Sequence, residues 1–231
     1  MLVLSDTYVF SKVTENYAKG KSKMAIWIVS HCNARSGRDE YVRRLKKYIP
    51  VDIYGKCGKL KCERGKQKDC REMMGRDYKF VIAFENSLCY DYVTEKMFYN
   101  VKFDIVPIVM DLHGNYDRFV PPKSYINALD FPSVKELADY LKLLDKNDTL
   151  YNEYFKWKES YAMEYSLHQY ELNIYEASAR GYCELCSKLH DPSQPVSIVK
   201  DLKKWWNDDA SCKVITFPSK SSDTWTAKNF P

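Results

Sequence analysis

Apolar residues along the chain fall into two patterns, short unbroken runs and recurrences three or four positions apart, and the two patterns alternate. Ala25-Ile26-Trp27-Ile28-Val29-Ser30 reads as a first strand, after which Tyr41, Leu45 and Tyr48 recur at helical spacing. Val51-Asp52-Ile53-Tyr54 reads as a short second strand. A loop rich in Cys, Lys and Gly runs from Gly55 to about Gly65, and a short helix then leads to a strand over 79–85 whose centre, Phe80-Val81-Ile82-Ala83-Phe84, is apolar throughout, as in a parallel strand buried on both faces. Thr94 with Asp91 supplies N-cap chemistry before the helical stretch Glu95-Lys96-Met97-Phe98-Tyr99, and Ile105-Val106-Pro107-Ile108-Val109 is the next strand.

Beyond that strand the pattern turns helical. Ser133-Val134-Lys135-Glu136 has the form of a capping box, and Val134, Leu137, Leu141 and Leu144 then keep one face apolar, which predicts a helix starting at Val134. Two more helical stretches are predicted over about 148–163 and 169–189. Their large side chains, Tyr151, Tyr154, Phe155, Trp157 and Tyr161, then Leu172, Tyr175 and Tyr182, are read as packing against the sheet rather than caging a ligand. Residues 213–231, rich in Ser, Lys and Thr, read as an unfolded tail. Strands alternating with helices predict an α/β fold with a doubly wound parallel sheet over 24–212. Residues 1–23 are left as the end of a linker or preceding domain.

Composition narrows the class. The net charge of +5 comes from 36 basic and 31 acidic residues spread along the chain, a mixed-charge surface rather than a nucleic-acid footprint. No run of about 18 apolar residues occurs, so neither a spanning helix nor a signal peptide is expected in the chain, and Met1 to Tyr8 is too short for either. Eight cysteines in 231 residues favour an oxidising lumen. Asn147-Asp148-Thr149 is a sequon and makes Asn147 a candidate N-glycosylation site.

Residues 79–96 concentrate the candidate chemistry: behind the apolar strand stand an amide (Asn86), a phenol (Tyr92), a carboxylate (Glu95) and an ammonium (Lys96). Open α/β sheets bind ligands at the carboxyl ends of their strands, where helix N-termini favour phosphate, so this grouping suits an anionic, polyhydroxylated ligand. A lysine beside a helix N-terminus opposes the dipole and asks for an anion, whereas the plainer reading is a solvated helix start; Arg38 is likewise either a bidentate phosphate fork or an exposed helix-start arginine. No Asp-x-Asp occurs, which favours fixed cations over a metal. Cys183-Glu184-Leu185-Cys186 with His190 admits a zinc reading only if Cys57, Cys62 or Cys70 joins it. The other six cysteines allow 15 connectivities, and none is chosen.

The order Ala-Phe-Glu-Asn-Ser, a short loop, then Asp-Tyr-Val-Thr-Glu-Lys resembles the signature of the α1,3/4-fucosyltransferases, glycosyltransferase family 10. The resemblance extends through Ser30-His31-Cys32-Asn33-Ala34-Arg35 with Arg38, Val51 to Gly55, Val106 to Val109, Asn115 to Pro122 and the segment around Asp130-Phe131, about residues 24 to 212, and the cysteine spacing is most similar to invertebrate core α1,3-fucosyltransferases. It implies the carboxyl-terminal, Rossmann-like half of a GT-B glycosyltransferase that binds GDP-fucose without metal or cofactor. It places Arg38 and Lys96 on the diphosphate, Glu95 on the ribose hydroxyls, and Tyr92 and Asn86 on the nucleotide or sugar. The implied reaction is inverting transfer of fucose from GDP-β-L-fucose to GlcNAc of a glycoprotein glycan, in the Golgi lumen, with the membrane anchor and the general-base glutamate in segments other than this one. Glu15 and Asp6 are the carboxylates of residues 1–23, and neither is marked as that base. The family's Cys-x-x-Cys implies that Cys183 and Cys186 staple this half to the amino-terminal domain. His31, where relatives often carry Asn, and the bulky Asp111-Leu112-His113-Gly114 are departures beside the implied sugar pocket. The competing readings are a catalytically silent nucleotide-sugar-binding module and a zinc-stabilised interaction protein.

Overall fold

The computed structural model describes residues 2–3, 15–62, 67–100, 103–160, 162–163, 182–183, 185–195 and 198–229. A two-residue strand β1 (Leu2–Val3) pairs with a distant β7 (Ala162–Met163), and between them lies the main sheet. Its strands are β2 (Lys23–Ile28), β3 (Val51–Tyr54), β4 (Tyr78–Ile82), β5 (Val106–Val109) and β6 (Ile126–Asn127). They are all parallel, in the order β3-β2-β4-β5-β6. Helices α1 (Arg38–Leu45), α2 (Gln67–Asp77) and α3 (Glu95–Asn100) make the crossovers, and α4 (Val134–Lys146) and α5 (Asp148–Asn152) follow β6.

Alternation along each strand sorts the core onto two faces. Ala25, Trp27, Phe80, Ile82, Val106 and Ile108 meet Tyr41 and Leu45 of α1 and Leu137, Leu141 and Leu144 of α4. Ile26 and Val81 meet Met74 of α2 on the opposite side, and Met97 of α3 joins Ala83 and Val109 there. Covering both faces is what requires β4 to be buried at every position. Lys79 is the polar exception, and its ammonium pairs with Asp145 (3.2 Å) and Asp148 (3.8 Å) beyond the sheet's edge.

The capping box is present as read: Ser133 Oγ accepts from the Glu136 N–H at 3.2 Å, and α4 starts at Val134. The single helix expected over 148–163 is instead α5, a 3-10 segment over Glu153–Glu159 and then β7. Tyr151 gives its hydroxyl to the Lys79 carbonyl (2.7 Å) and Phe155 stacks on Tyr17 (4.2 Å), so the aromatics on both sides of the break reach the core. Most of the stretch 169–189, with Leu172 and Tyr175, and also Tyr161, lies outside the described residues; Tyr182 is 71% exposed rather than packed on the sheet. Among the described residues no helix is long and apolar enough to cross a membrane.

Both expected ends of the domain need correction. Tyr17 and Ala18 are buried in the main core, so the domain reaches in front of residue 24. Residues 213–229 are not a tail but an antiparallel hairpin, β8 (Lys213–Thr216) with β9 (Thr226–Asn229). Ile215 is 2% exposed in the main core, and the Trp225 indole donates to the Phe131 carbonyl at 2.9 Å. Composition concealed this because a few apolar anchors suffice: burying one Ile is worth about 1.5 to 3 kcal/mol however polar its neighbours are. Loss of the α4 cap in Ser133→Ala is expected to lower unfolding stability by about 1 kcal/mol, read as a lower urea midpoint at unchanged slope.

Candidate functional site

Chain order reverses between β2 and β4: β3 lies on one side of β2, and the chain then returns to build β4, β5 and β6 on the other. A crevice opens outside the carboxyl ends of the two strands at such a point. Here it is a cleft of about 370 Å³, bordered by Val29, Ser30 and His31 after β2, Phe84 and Asn86 after β4, Arg38 of α1, Arg71 of α2 and Glu95, Lys96 and Asn100 of α3.

Arg38 is not the exposed helix-start residue of the plainer reading. It is 2% exposed, and its two terminal nitrogens donate to the Phe84 carbonyl (2.7 Å) and the His31 carbonyl (2.8 Å), with the Trp27 ring 5.6 Å from the guanidinium carbon. Among the described residues no carboxylate pairs with it, and its Nε is buried without a partner. Burial therefore pushes its pKa down from the usual arginine value, with Asp39 and Glu85 only partly compensating. Two of its five N–H groups are committed to carbonyls, which fix the plane of the fork and leave donors for an anion in the cleft.

Lys96 is anchored by a residue that the sequence reading quoted but did not single out. Glu85 is 1% exposed; it accepts the Thr94 N–H (2.9 Å) and hydroxyl (2.8 Å), and its second oxygen meets the Lys96 ammonium at 3.0 Å. Thr94 thus serves Glu85, and Asp91, expected as a cap, pairs with Arg118 instead. Burial opposes the Lys96 charge, but Glu85 and then Glu95 outweigh it and raise the pKa. At Glu95 burial likewise opposes ionisation, and Lys96 foremost outweighs it and lowers the pKa. A lone carboxylate at the end of an apolar strand was the signal available for Glu85, since a buried charge must be paired.

Asn86 borders the cleft with its side-chain oxygen buried and unpartnered, while its backbone carbonyl accepts from the Ser36 N–H at 3.0 Å. Tyr92 borders a narrow crevice with Asp111, His113 and Tyr116, and it lies near enough to Arg38 to act on the guanidinium's charge. The cleft therefore gathers Arg38, Asn86, Glu95 and Lys96, and leaves Tyr92 beside it. His31 is on the cleft wall, and Asp111 is tied up by the backbone N–H groups of His113 (2.9 Å) and Tyr116 (3.1 Å).

The remaining candidates lie elsewhere. Asn147 sits where α4 meets α5, accepting from the Leu150 N–H at 3.1 Å, near the amino-terminal edge of the sheet. Glu15 is exposed at that same end, next to Asn16, which bonds Asp148 at 2.9 Å, and Asp6 lies outside the described residues. The disulfides are Cys32–Cys57, Cys62–Cys70 and Cys89–Cys212, which removes Cys57, Cys62 and Cys70 as zinc ligands. Cys183 and Cys186 are exposed free thiols, and among the described residues no three His, Cys, Asp or Glu side chains are grouped to hold a metal ion.

Residues 18–205 match the family described as glycosyltransferase family 10 (fucosyltransferase) C-term. The chain is 43% identical to glycoprotein 3-alpha-L-fucosyltransferase A of Drosophila melanogaster over 85% of its own length and 37% of that protein's. It is 39% identical to alpha-(1,3)-fucosyltransferase fut-1 of Caenorhabditis elegans over 84% of its length and 44% of that protein's. A crystal structure of an alpha1,3-fucosyltransferase with GDP superposes with a TM-score of 0.50 at 27% identity, covering 60% of this chain and 39% of that one. The chain thus spans less than half the length of these curated relatives.

The Glu85–Lys96 pair has a pH signature. A lysine whose folded pKa is raised above its ordinary 10.5 stabilises the fold fully below that value and loses the contribution as pH rises through the folded pKa. The urea-midpoint advantage of wild type over Lys96→Met is therefore expected to stay constant up to about pH 10 and shrink above it. A margin independent of pH in the alkaline range would show that the ion pair contributes no stability.

Proposed function

The chain belongs to glycosyltransferase family 10, the fucosyltransferases, as their carboxyl-terminal part, and on that premise we propose that its cleft binds GDP-fucose as the donor domain of an α1,3-fucosyltransferase. The observation that carries this reading is Arg38, a buried guanidinium with no carboxylate partner among the described residues, facing a switch-point cleft with Lys96 on the opposite wall. A diphosphate supplies the missing anion. As the glycosidic bond to fucose lengthens, negative charge grows on the departing GDP, and cations already fixed in place stabilise it without reorganising. Arg38 is fixed by its two carbonyls and Lys96 by Glu85. Glu95, its side chain more than half exposed at the rim, is the carboxylate positioned for ribose hydroxyls, and the free Asn86 oxygen accepts one further donor from nucleotide or sugar.

The finer reading is inverting transfer to GlcNAc of a glycoprotein glycan, with the acceptor hydroxyl deprotonated from the face opposite GDP. Three disulfides and the Asn147 sequon support an oxidising Golgi lumen as its compartment. One observation favours a second reading, a donor-binding module silent on its own: the two carboxylates on or behind the cleft are both engaged, Glu85 with Thr94 and Lys96, and Glu95 with Lys96.

Calorimetric titration of the folded chain is expected to show binding of GDP-fucose but not UDP-galactose, undiminished by EDTA. Lys96→Ala is expected to weaken GDP binding by about 1.5 to 3 kcal/mol, the size of a charge-assisted hydrogen bond. Wild-type affinity in folded Lys96→Ala would take Lys96 out of the site, and loss of binding on chelation would replace the fixed cations with a metal.

A further inference from the structure

None of residues 210–229 borders the cleft, yet the chain there is tied to both loops that do. The Ile215 N–H donates to the Ser36 carbonyl at 3.0 Å, directly before Gly37 and Arg38. Two residues earlier the Lys213 N–H donates to the Leu88 carbonyl at 2.8 Å, and the Tyr90 N–H returns a bond to the Ala210 carbonyl at 2.7 Å. Cys89–Cys212 closes this contact covalently. Ser36 joins the two loops to each other, its hydroxyl donating to the Glu85 carbonyl at 2.9 Å and its N–H to the Asn86 carbonyl. Gly37 shows how closely β8 is pressed on: it adopts φ +80, and a Cβ there would stand 2.2 Å from the Ile215 carbonyl oxygen.

The far end of the hairpin is anchored well away. The Arg44 guanidinium, at the other end of α1, donates to the carbonyls of Ser219 (3.0 Å) and Ser222. The Asp223 carbonyl accepts from the Val134 N–H at 2.9 Å. Loops at strand ends are the most mobile parts of an α/β fold. Here one strand, held at both ends, fixes the Arg38 and Asn86 loops at a set separation.

We propose that the β8–β9 hairpin is a positioning strap for the cleft: it touches no ligand and holds the loops bearing Arg38 and Asn86 in the conformation that binds the nucleoside diphosphate. The proposal rests on the donor reading above. If the strap is released, only a fraction of molecules present both loops correctly, and apparent affinity falls by that fraction. By reciprocity, bound nucleotide must tighten the strap by the same factor.

The test uses the full chain carrying Cys89→Ser and Cys212→Ser together, with GDP as the probe. GDP affinity is expected to fall about tenfold, within the usual range of coupling between sites. Amide exchange is expected to quicken over 34–38 and 86–90 in the variant, and saturating GDP is expected to slow exchange at Lys213 and Ile215 in wild type. Leu144→Ala, in the core and away from both loops, lowers thermal stability and is expected to leave GDP affinity unchanged; it separates positioning from general destabilisation. Should the cysteine variant not fold, Arg44→Gln loosens the opposite end of the hairpin, which Val134 and Phe131 still hold, and a smaller loss is expected. Wild-type GDP affinity in either folded variant, or an equal loss in Leu144→Ala, overturns the strap. No GDP binding by folded wild type removes the donor reading, and the strap with it.

Discussion

A guanidinium withdrawn from water with no ion-paired carboxylate among the described residues is the constraint around which the carboxyl edge of this sheet is built. Removing such a charge from solvent costs several kcal/mol even after relaxation, and an aliphatic side chain would fill the same space more cheaply. Arg38 is tolerated because two backbone carbonyls, Phe84 after β4 and His31 after β2, each take one of its N–H groups. These bonds join the ends of two adjacent parallel strands just where the chain order reverses. The interaction that orients the cation is therefore also the one that sets the width of the crevice.

Further requirements follow from that placement. For Arg38 to open α1, the chain must turn sharply at Gly37, which uses the left-handed conformation, and the preceding Ser36 must lie against the β4 loop. For Lys96 to face Arg38, its ammonium needs a fixed anion, and Glu85 supplies one from within the protein. The two cations are thus held by different means, one by dipoles and one by a buried charge. Among the described residues, only the second has a carboxylate in ion-pair contact. Lys96 shares its charge with Glu85 and Glu95, so on the donor reading a diphosphate would gain most at Arg38.

The sheet and its helices were legible in the sequence because both report through local periodicity: β4 is apolar at nearly every position, and Ser133 with Glu136 marks the start of α4 within four residues. The cleft residues were legible through motif order, which brought together Arg38, Asn86, Glu95 and Lys96 from two segments. What stayed hidden depends on contacts distant in sequence. Cys89 and Cys212 are separated by 123 residues, and no spacing rule selects that pairing. The hairpin over 213–229 reads as polar because much of its attachment is through backbone hydrogen bonds, which carry no side-chain signature. Glu85 sat inside the quoted motif, but that its partners would be Thr94 and Lys96 follows only once the loop has turned back on the strand. Tyr92 borders the neighbouring crevice and still acts electrostatically on Arg38, a placement that motif order alone does not give.

The charges of the cleft are divided in a way that bears on chemistry. Transfer of a sugar needs cations where the leaving group departs and a free base where the acceptor attacks. Arg38 and Lys96 are held in place by protein groups alone, so on the donor reading proposed above they need no rearrangement as the leaving group departs. Among the described residues, the two carboxylates nearest Lys96 are both tied to it, Glu85 at 3.0 Å and Glu95 at 3.2 Å. Placing a free base next to these cations would defeat its purpose, since they would depress its pKa and weaken it. On the donor reading, a base belongs on the face of the sugar opposite these cations.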